Sequence, residues 1–146
     1  LKSSRLELVP QRRSEPLAAS PRGSKMPGDS PNLWHVSCYS GALAVALGAF
    51  GAHALRSRVK DPKLLDAWDT AVKYHLLHTT VLLTATKQPA DRANRTLSSA
   101  FLLAGNVLFS GSLYLLVLTG VKKLGIVTPF GGASYIVGWL MLAHGK

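Results

Sequence analysis

The chain has a single cysteine, Cys38. It therefore forms no internal disulfide and offers no cysteine cluster to a metal. Charge is also scarce: 16% of the 146 residues are Asp, Glu, Lys or Arg, whereas soluble domains average ~25%. Acids are the rarer sign, 7 against 17 basic residues, for a net charge of +10. That surplus does not make a nucleic-acid surface. Lys2, Arg5, Arg12, Arg13, Arg22 and Lys25 fall in a polar leader, and most other basic residues sit between apolar runs, as in membrane proteins. No basic helix interleaved with stacking aromatics occurs, so no nucleic-acid partner is expected. The sequence also lacks a nucleophile–base arrangement, a phosphate-binding loop and a zinc motif. No enzyme activity and no cofactor are expected.

What is present is apolar residue, 47% of the chain, gathered into four runs behind the leader. Residues 1–32 are rich in Ser, Arg and Pro and bury too little to fold alone, which predicts disorder. The first methionine is Met26, and translation is expected to start there. A transit peptide is the rival reading, with Arg and Ser in its favour and Glu7 and Glu15 against it. Residues 33–146 are read as one membrane domain.

The first run, about 33–55, is long enough to cross a ~30 Å hydrocarbon core as a helix. At 100° per residue, Gly41, Ala44, Gly48, Gly51 and Ala52 fall on one face with Ser37. Val36, Tyr39, Leu43, Leu47 and Phe50 fall on another. A small-residue face lets a neighbouring helix approach closely, which matters in lipid because packing drives association there. The bulky face is then expected to meet lipid.

The second run, about 64–86, opens at Asp61-Pro62, a cap followed by the favoured first-turn proline. Its first half is amphipathic, with an Asp69–Lys73 pair at helical spacing, and its second half is almost wholly apolar. Trp68 and Tyr74 are expected at headgroup depth. Lys87 and Pro89 are expected to end it. The third run, about 97–121, has no charge and holds Asn106 near its middle, with Gly111 and Ser112 close by. A polar amide at that depth calls for a partner on another helix, because lipid cannot hydrogen-bond it. Lys122 and Lys123 are expected to end it. The fourth run, about 125–143, starts at Thr128-Pro129 and contributes Gly132 and other small residues. The fold expected is all-α, a four-helix transmembrane bundle behind a disordered N-terminal leader.

Several of these stretches occur together elsewhere. Gly48-Ala-Phe-Gly-Ala-His-Ala-Leu55, Ala71-Val-Lys-Tyr-His-Leu-Leu-His78, Leu108-Phe-Ser-Gly-Ser-Leu-Tyr114, Gly125-Ile-Val-Thr-Pro-Phe-Gly-Gly132 and Gly138-Trp-Leu resemble the transmembrane protein 256 family, which has bacterial members. The resemblance covers about residues 34–143. It implies a small multi-pass membrane protein and carries no catalytic residues across. It also keeps a mitochondrial membrane open as the location.

Two constellations remain as candidate chemistry. His75 and His78, three residues apart, share a helix face, and His53 at the end of the first run is the one credible third member of a metal or proton site. Packing histidines are the plainer reading. Asn106, Ser110, Ser112 and Tyr114 form a polar set suited to helix–helix hydrogen bonding or to a solute path. The function expected is packing or assembly within the membrane, with lipids and other membrane proteins, or a second copy, as partners. A minimal transporter or proton conductor is the first alternative, and a histidine-ligated haem or metal protein the second. Transport requires a polar path from Asn106 to both surfaces.

Overall fold

A computed structural model of the chain describes residues 31–86 and 92–144, and its regular structure is helical throughout. Most of the predicted leader, and the stop expected at Lys87 and Pro89, lie outside the described residues.

Helix α1 comprises Pro31–Phe50, a π-helical turn at Gly51–Leu55 and a last turn at Arg56–Arg58. It is helical from the first described residue, Pro31, two residues before the predicted boundary. Helix α2 is Pro62–Ala85. Its start follows the sequence: Asp61 accepts from the backbone N–H of Lys63 at 2.9 Å, with Pro62 in the first turn. Helix α3 comprises Arg92–Gly105, a second π-helical turn at Asn106–Gly111, and Ser112–Thr119. The basic pair after it is not the stop. Gly120 takes a left-handed conformation at φ 73°, which suits a residue without Cβ, and its N–H closes on the Leu116 carbonyl. A 3₁₀ turn, Lys122–Ile126, leads into helix α4, Thr128–His144.

Each helix runs antiparallel to the one before it. Along α1 and α2, Gly41 meets Thr79, Gly48 meets Val72 and Gly51 meets Trp68. Along α3 and α4, Leu102 meets Gly138, Gly105 meets Tyr135, and the backbone of Leu108 and Phe109 meets Gly131. The result is an up-down-up-down bundle. Its stretches Asn32–Arg58, Ala93–Thr119 and Lys122–His144 are long and apolar enough to cross a membrane. Helix α2 has the length but not the apolarity, because Lys63, Asp66, Asp69 and Lys73 crowd its first half.

That helix is instead the hub. It packs on α1 and on α3, and its inward face is polar in the middle, at His75, His78 and Thr79, and apolar on either side. Trp68 is buried to 1% exposure inside the bundle, against Leu55, Ala71, Tyr114 and Val117. Its indole N–H donates to the Leu47 carbonyl at 3.1 Å, and the flat ring fits because Gly51 leaves room for it. Asp69 pairs with Arg56 across the α1–α2 turn at 3.0 Å, not with Lys73. A second apolar cluster, Leu82, Leu102 and Tyr135, lies towards the other end.

The α1 stripe divides. Gly41, Ala44, Gly48 and Gly51 face α2, while Ala52 is exposed, one residue round from the inward positions taken by Gly51 and Leu55. On the bulky face, Val36, Tyr39 and Leu43 are exposed, but Leu47 and Phe50 pack on the Trp68 cluster. A Cβ at position 48 stands 3.2 Å from Val72 and has no room to extend. Gly48→Leu is therefore expected to destabilise the bundle by about 1–3 kcal/mol. Leu43→Ala, at an exposed position, should cost far less. Parallel melts in detergent check this, and equal midpoints for the two variants would refute it.

Candidate functional site

The antiparallel register brings polar side chains from all four helices into one hydrogen-bonded set. The Tyr135 hydroxyl on α4 donates to Asn106 Oδ1 on α3 at 2.8 Å. Asn106 Nδ2 donates to Thr79 Oγ1 on α2 at 3.1 Å. Thr79 Oγ1 is 3.0 Å from Ser40 Oγ on α1, which is 3.0 Å from His75 Nε2 on α2. His75 Nδ1 lies 3.4 Å from the Tyr114 hydroxyl on α3, and Ser110 Oγ lies 3.5 Å from the hydroxyl of Tyr135. All but Ser40, which is half-buried, are buried. Asn106 thus finds the partners that its depth demanded, one on α2 and one on α4.

The π-helical turn makes this set possible. In a straight α-helix, residues eight apart lie about 80° apart around the axis. One extra residue in a widened turn brings them to within about 20°. Asn106 and Tyr114 flank such a turn, and both reach α2.

The two histidines do not share a site. His75 is held by Ser40 and Tyr114, whereas the His78 ring stacks on Tyr135 at a centroid distance of 3.5 Å and its Nδ1 bonds the Tyr74 carbonyl. His53 is exposed in the turn that ends α1. Among the described residues, no three His, Cys, Asp or Glu side chains come together to hold a metal ion.

The remaining predicted packing residues are spread out. Ser112 bonds Thr128 at 2.9 Å, tying α3 to the start of α4, so the Thr128 hydroxyl serves that contact. Gly132 is in ordinary contact with Phe109 at 3.8 Å, and Gly111 has only its own helix within 4 Å. The tightest approaches on this side are at Gly105, Gly131 and Gly138. Sequence reasoning missed Ser40, Thr79 and Tyr135 as members of the network. The signal that was available is register: antiparallel neighbours place these three at the depth of Asn106.

Beside the network the bundle is open. Helix α1 leans on α2, leaving a cavity of about 640 Å³ between α1 and α3. Its walls are apolar, Leu43 and Val107 among them, and Leu124 and Val127 line it from the turn before α4. Ser40, His75, Asn106 and Tyr114 also line it. Among the described residues, the network ends in an apolar cluster at either end, at Tyr114 and at Tyr135. The Trp68 cluster stands on one side of it and the Leu82–Leu102 cluster on the other.

Comparison with known proteins bears on the whole chain rather than on this cavity. The family described as Protein of unknown function (DUF423) matches residues 47–132. A UPF0382 membrane protein of Bacillus subtilis, YwdK, is 43% identical over 104 residues, covering 68% of this chain and 83% of the relative. A UPF0382 membrane protein of Schizosaccharomyces pombe is 37% identical over 112 residues, 73% of this chain and 94% of the relative. One of Haemophilus influenzae is 41% identical over 108 residues, 73% and 86% respectively. No solved structure matches.

Proposed function

The chain belongs to the family described as Protein of unknown function (DUF423), and from the geometry of its bundle we propose that it is an assembly element of the membrane, which holds a neighbouring helix against α1 and catalyses no reaction itself. It is a small multi-pass membrane protein: its relatives are named membrane proteins, and three of its helical stretches are long and apolar enough to cross a membrane. The observation that carries the reading is the outer side of α1. That helix is packed on one side only, and Ala42, Ala46 and Ala49 stand exposed on the face turned away from α2. Their four- and three-residue spacing gives a narrow small-residue stripe, the surface by which helices approach closely in lipid. The partner is another membrane protein or a second copy. The mitochondrial membrane is the proposed location in eukaryotes, in keeping with a family found in both bacteria and yeast.

Conduction is disfavoured by a specific observation: the polar network is bracketed by apolar clusters. A transporter would need it to continue towards both surfaces.

Cys38 supplies the test. It is exposed on the same outward side of α1 and has no competing thiol in the chain. A cysteine-directed crosslinker applied to native membranes is expected to give a discrete adduct through Cys38, and Ala46→Leu should remove most of it. A wild-type chain that stays uncrosslinked in its own membrane would overturn the assembly reading.

A further inference from the structure

Hydrogen-bond accounting in the network leaves donors over at the cavity. A neutral histidine offers one N–H and one acceptor nitrogen, and each hydroxyl has one hydrogen to give. Two directions satisfy the segment from Thr79 to Tyr114. In the first, Thr79 donates to Ser40, Ser40 to His75 Nε2, and His75 Nδ1–H to Tyr114, so that the Tyr114 hydrogen is left over. In the second, every donation reverses and the hydrogen of Thr79 is left over. Thr79 is 4% exposed and does not line the cavity, so that direction strands a buried donor. Tyr114 does line the cavity, so the first direction strands none there once the cavity is filled. Asn106 adds to this. Its amide gives one hydrogen to Thr79 and has a second with no acceptor among the described residues, and it too lines the cavity. One N–H hydrogen of Asn106 and the O–H hydrogen of Tyr114 are thus left without an acceptor, on residues that line an apolar space whose volume is in the ~300–1,000 Å³ range of small-molecule sites.

Depth narrows the occupant. Asn106 lies midway along Ala93–Thr119, about 20 Å from either end at 1.5 Å per residue. The ester carbonyls of a phospholipid stay near its charged headgroup, about 15 Å from the bilayer centre. A molecule whose polar atoms reach this depth must be uncharged throughout. We propose that the cavity between α1 and α3 binds an uncharged, membrane-dissolved amphiphile that presents carbonyl oxygen to Asn106 and Tyr114, a prenylated quinone being the fitting class. The proposal stands apart from the assembly reading, because the cavity and the Ala42–Ala49 stripe occupy different sides of α1.

The test uses the full chain in phosphatidylcholine nanodiscs. The probes are a short-chain prenylated benzoquinone and the same tail on a carbonyl-free benzene ring. The quinone is expected to bind saturably, one per chain, with its carbonyl infrared band shifted by hydrogen bonding. The carbonyl-free probe should bind at least about tenfold more weakly. Tyr114→Phe keeps the ring and removes the donor. It should weaken the quinone by about tenfold and leave the other probe unchanged. Leu43→Trp, which fills the cavity without touching the network, should abolish binding of both. Equal affinity for the two probes, or an unshifted carbonyl band in the wild type, would overturn the carbonyl assignment. Absence of saturable binding by either, or retained phospholipid that the quinone does not displace, would overturn the site.

Discussion

Gly131→Ala is expected to break the α3–α4 contact, at a cost of roughly 2–4 kcal/mol for a single methyl group. The reason is what the methyl would meet. A Cβ built at Gly131 runs into the backbone of Phe109 and lies 2.7 Å from the Leu108 carbonyl carbon. A side chain in that place can rotate away, but a backbone held in a helix cannot. The segment it strikes belongs to the π-helical turn Asn106–Gly111, which sets the phase between Asn106 and Tyr114, so relief by moving that turn would disturb the network as well. Neighbouring glycines provide the contrast. At Gly132 the nearest atom is 3.8 Å away and at Gly111 it is 3.9 Å, so Gly132→Ala and Gly111→Ala should change stability by less than about 0.5 kcal/mol. Detergent melts of the three variants check the ordering. A Gly131→Ala protein as stable as the Gly132→Ala protein would show that the two helices do not cross at this distance.

The order of helices was legible because apolar runs separated by charge, proline and glycine are strong signals, and short connections force neighbours to be antiparallel. The inward face of α1 was largely legible for the same reason that it works: only Gly and Ala let Val72 and Trp68 come so near. The burial of Trp68 was not legible, because an aromatic flanked by charges looks like an interfacial anchor. Its burial depends on a gap at Gly51, seventeen positions earlier, and on a ring contact with Tyr114 at 4.7 Å. Asn106 announced that it needed partners, but not which. Its partners follow from register between helices and from a widened turn, and neither leaves a local pattern in the sequence. The cavity was invisible for a related reason. It exists because α1 leans on α2 and stands off from α3, a property of packing angles that residue spacing does not encode.

Asn106→Leu should be the second costly change, and its cost should depend on Tyr135. Among the described residues, Asn106 is the one that bonds both α2 and α4 from α3. Leucine fills nearly the same volume, so packing is conserved and the loss is polar. Hydrogen bonds between membrane helices are each worth about 0.6 kcal/mol on average and up to about 1.7. Removing the amide also leaves the buried Tyr135 hydroxyl, at 3% residue exposure, without the acceptor it donates to. Stranding that donor adds about 1–3 kcal/mol. Together these give an expected loss of roughly 2–4 kcal/mol. Tyr135→Phe alone should cost less, because it removes the hydroxyl instead of stranding it and Thr79 still holds the Asn106 amide nitrogen. The double variant, Asn106→Leu with Tyr135→Phe, carries no stranded hydroxyl. It should therefore be more stable than the sum of the single losses predicts, by about 1 kcal/mol or more. A thermodynamic cycle over the four proteins measures this directly. Strict additivity would mean that Asn106 and Tyr135 do not exchange a hydrogen bond in the membrane.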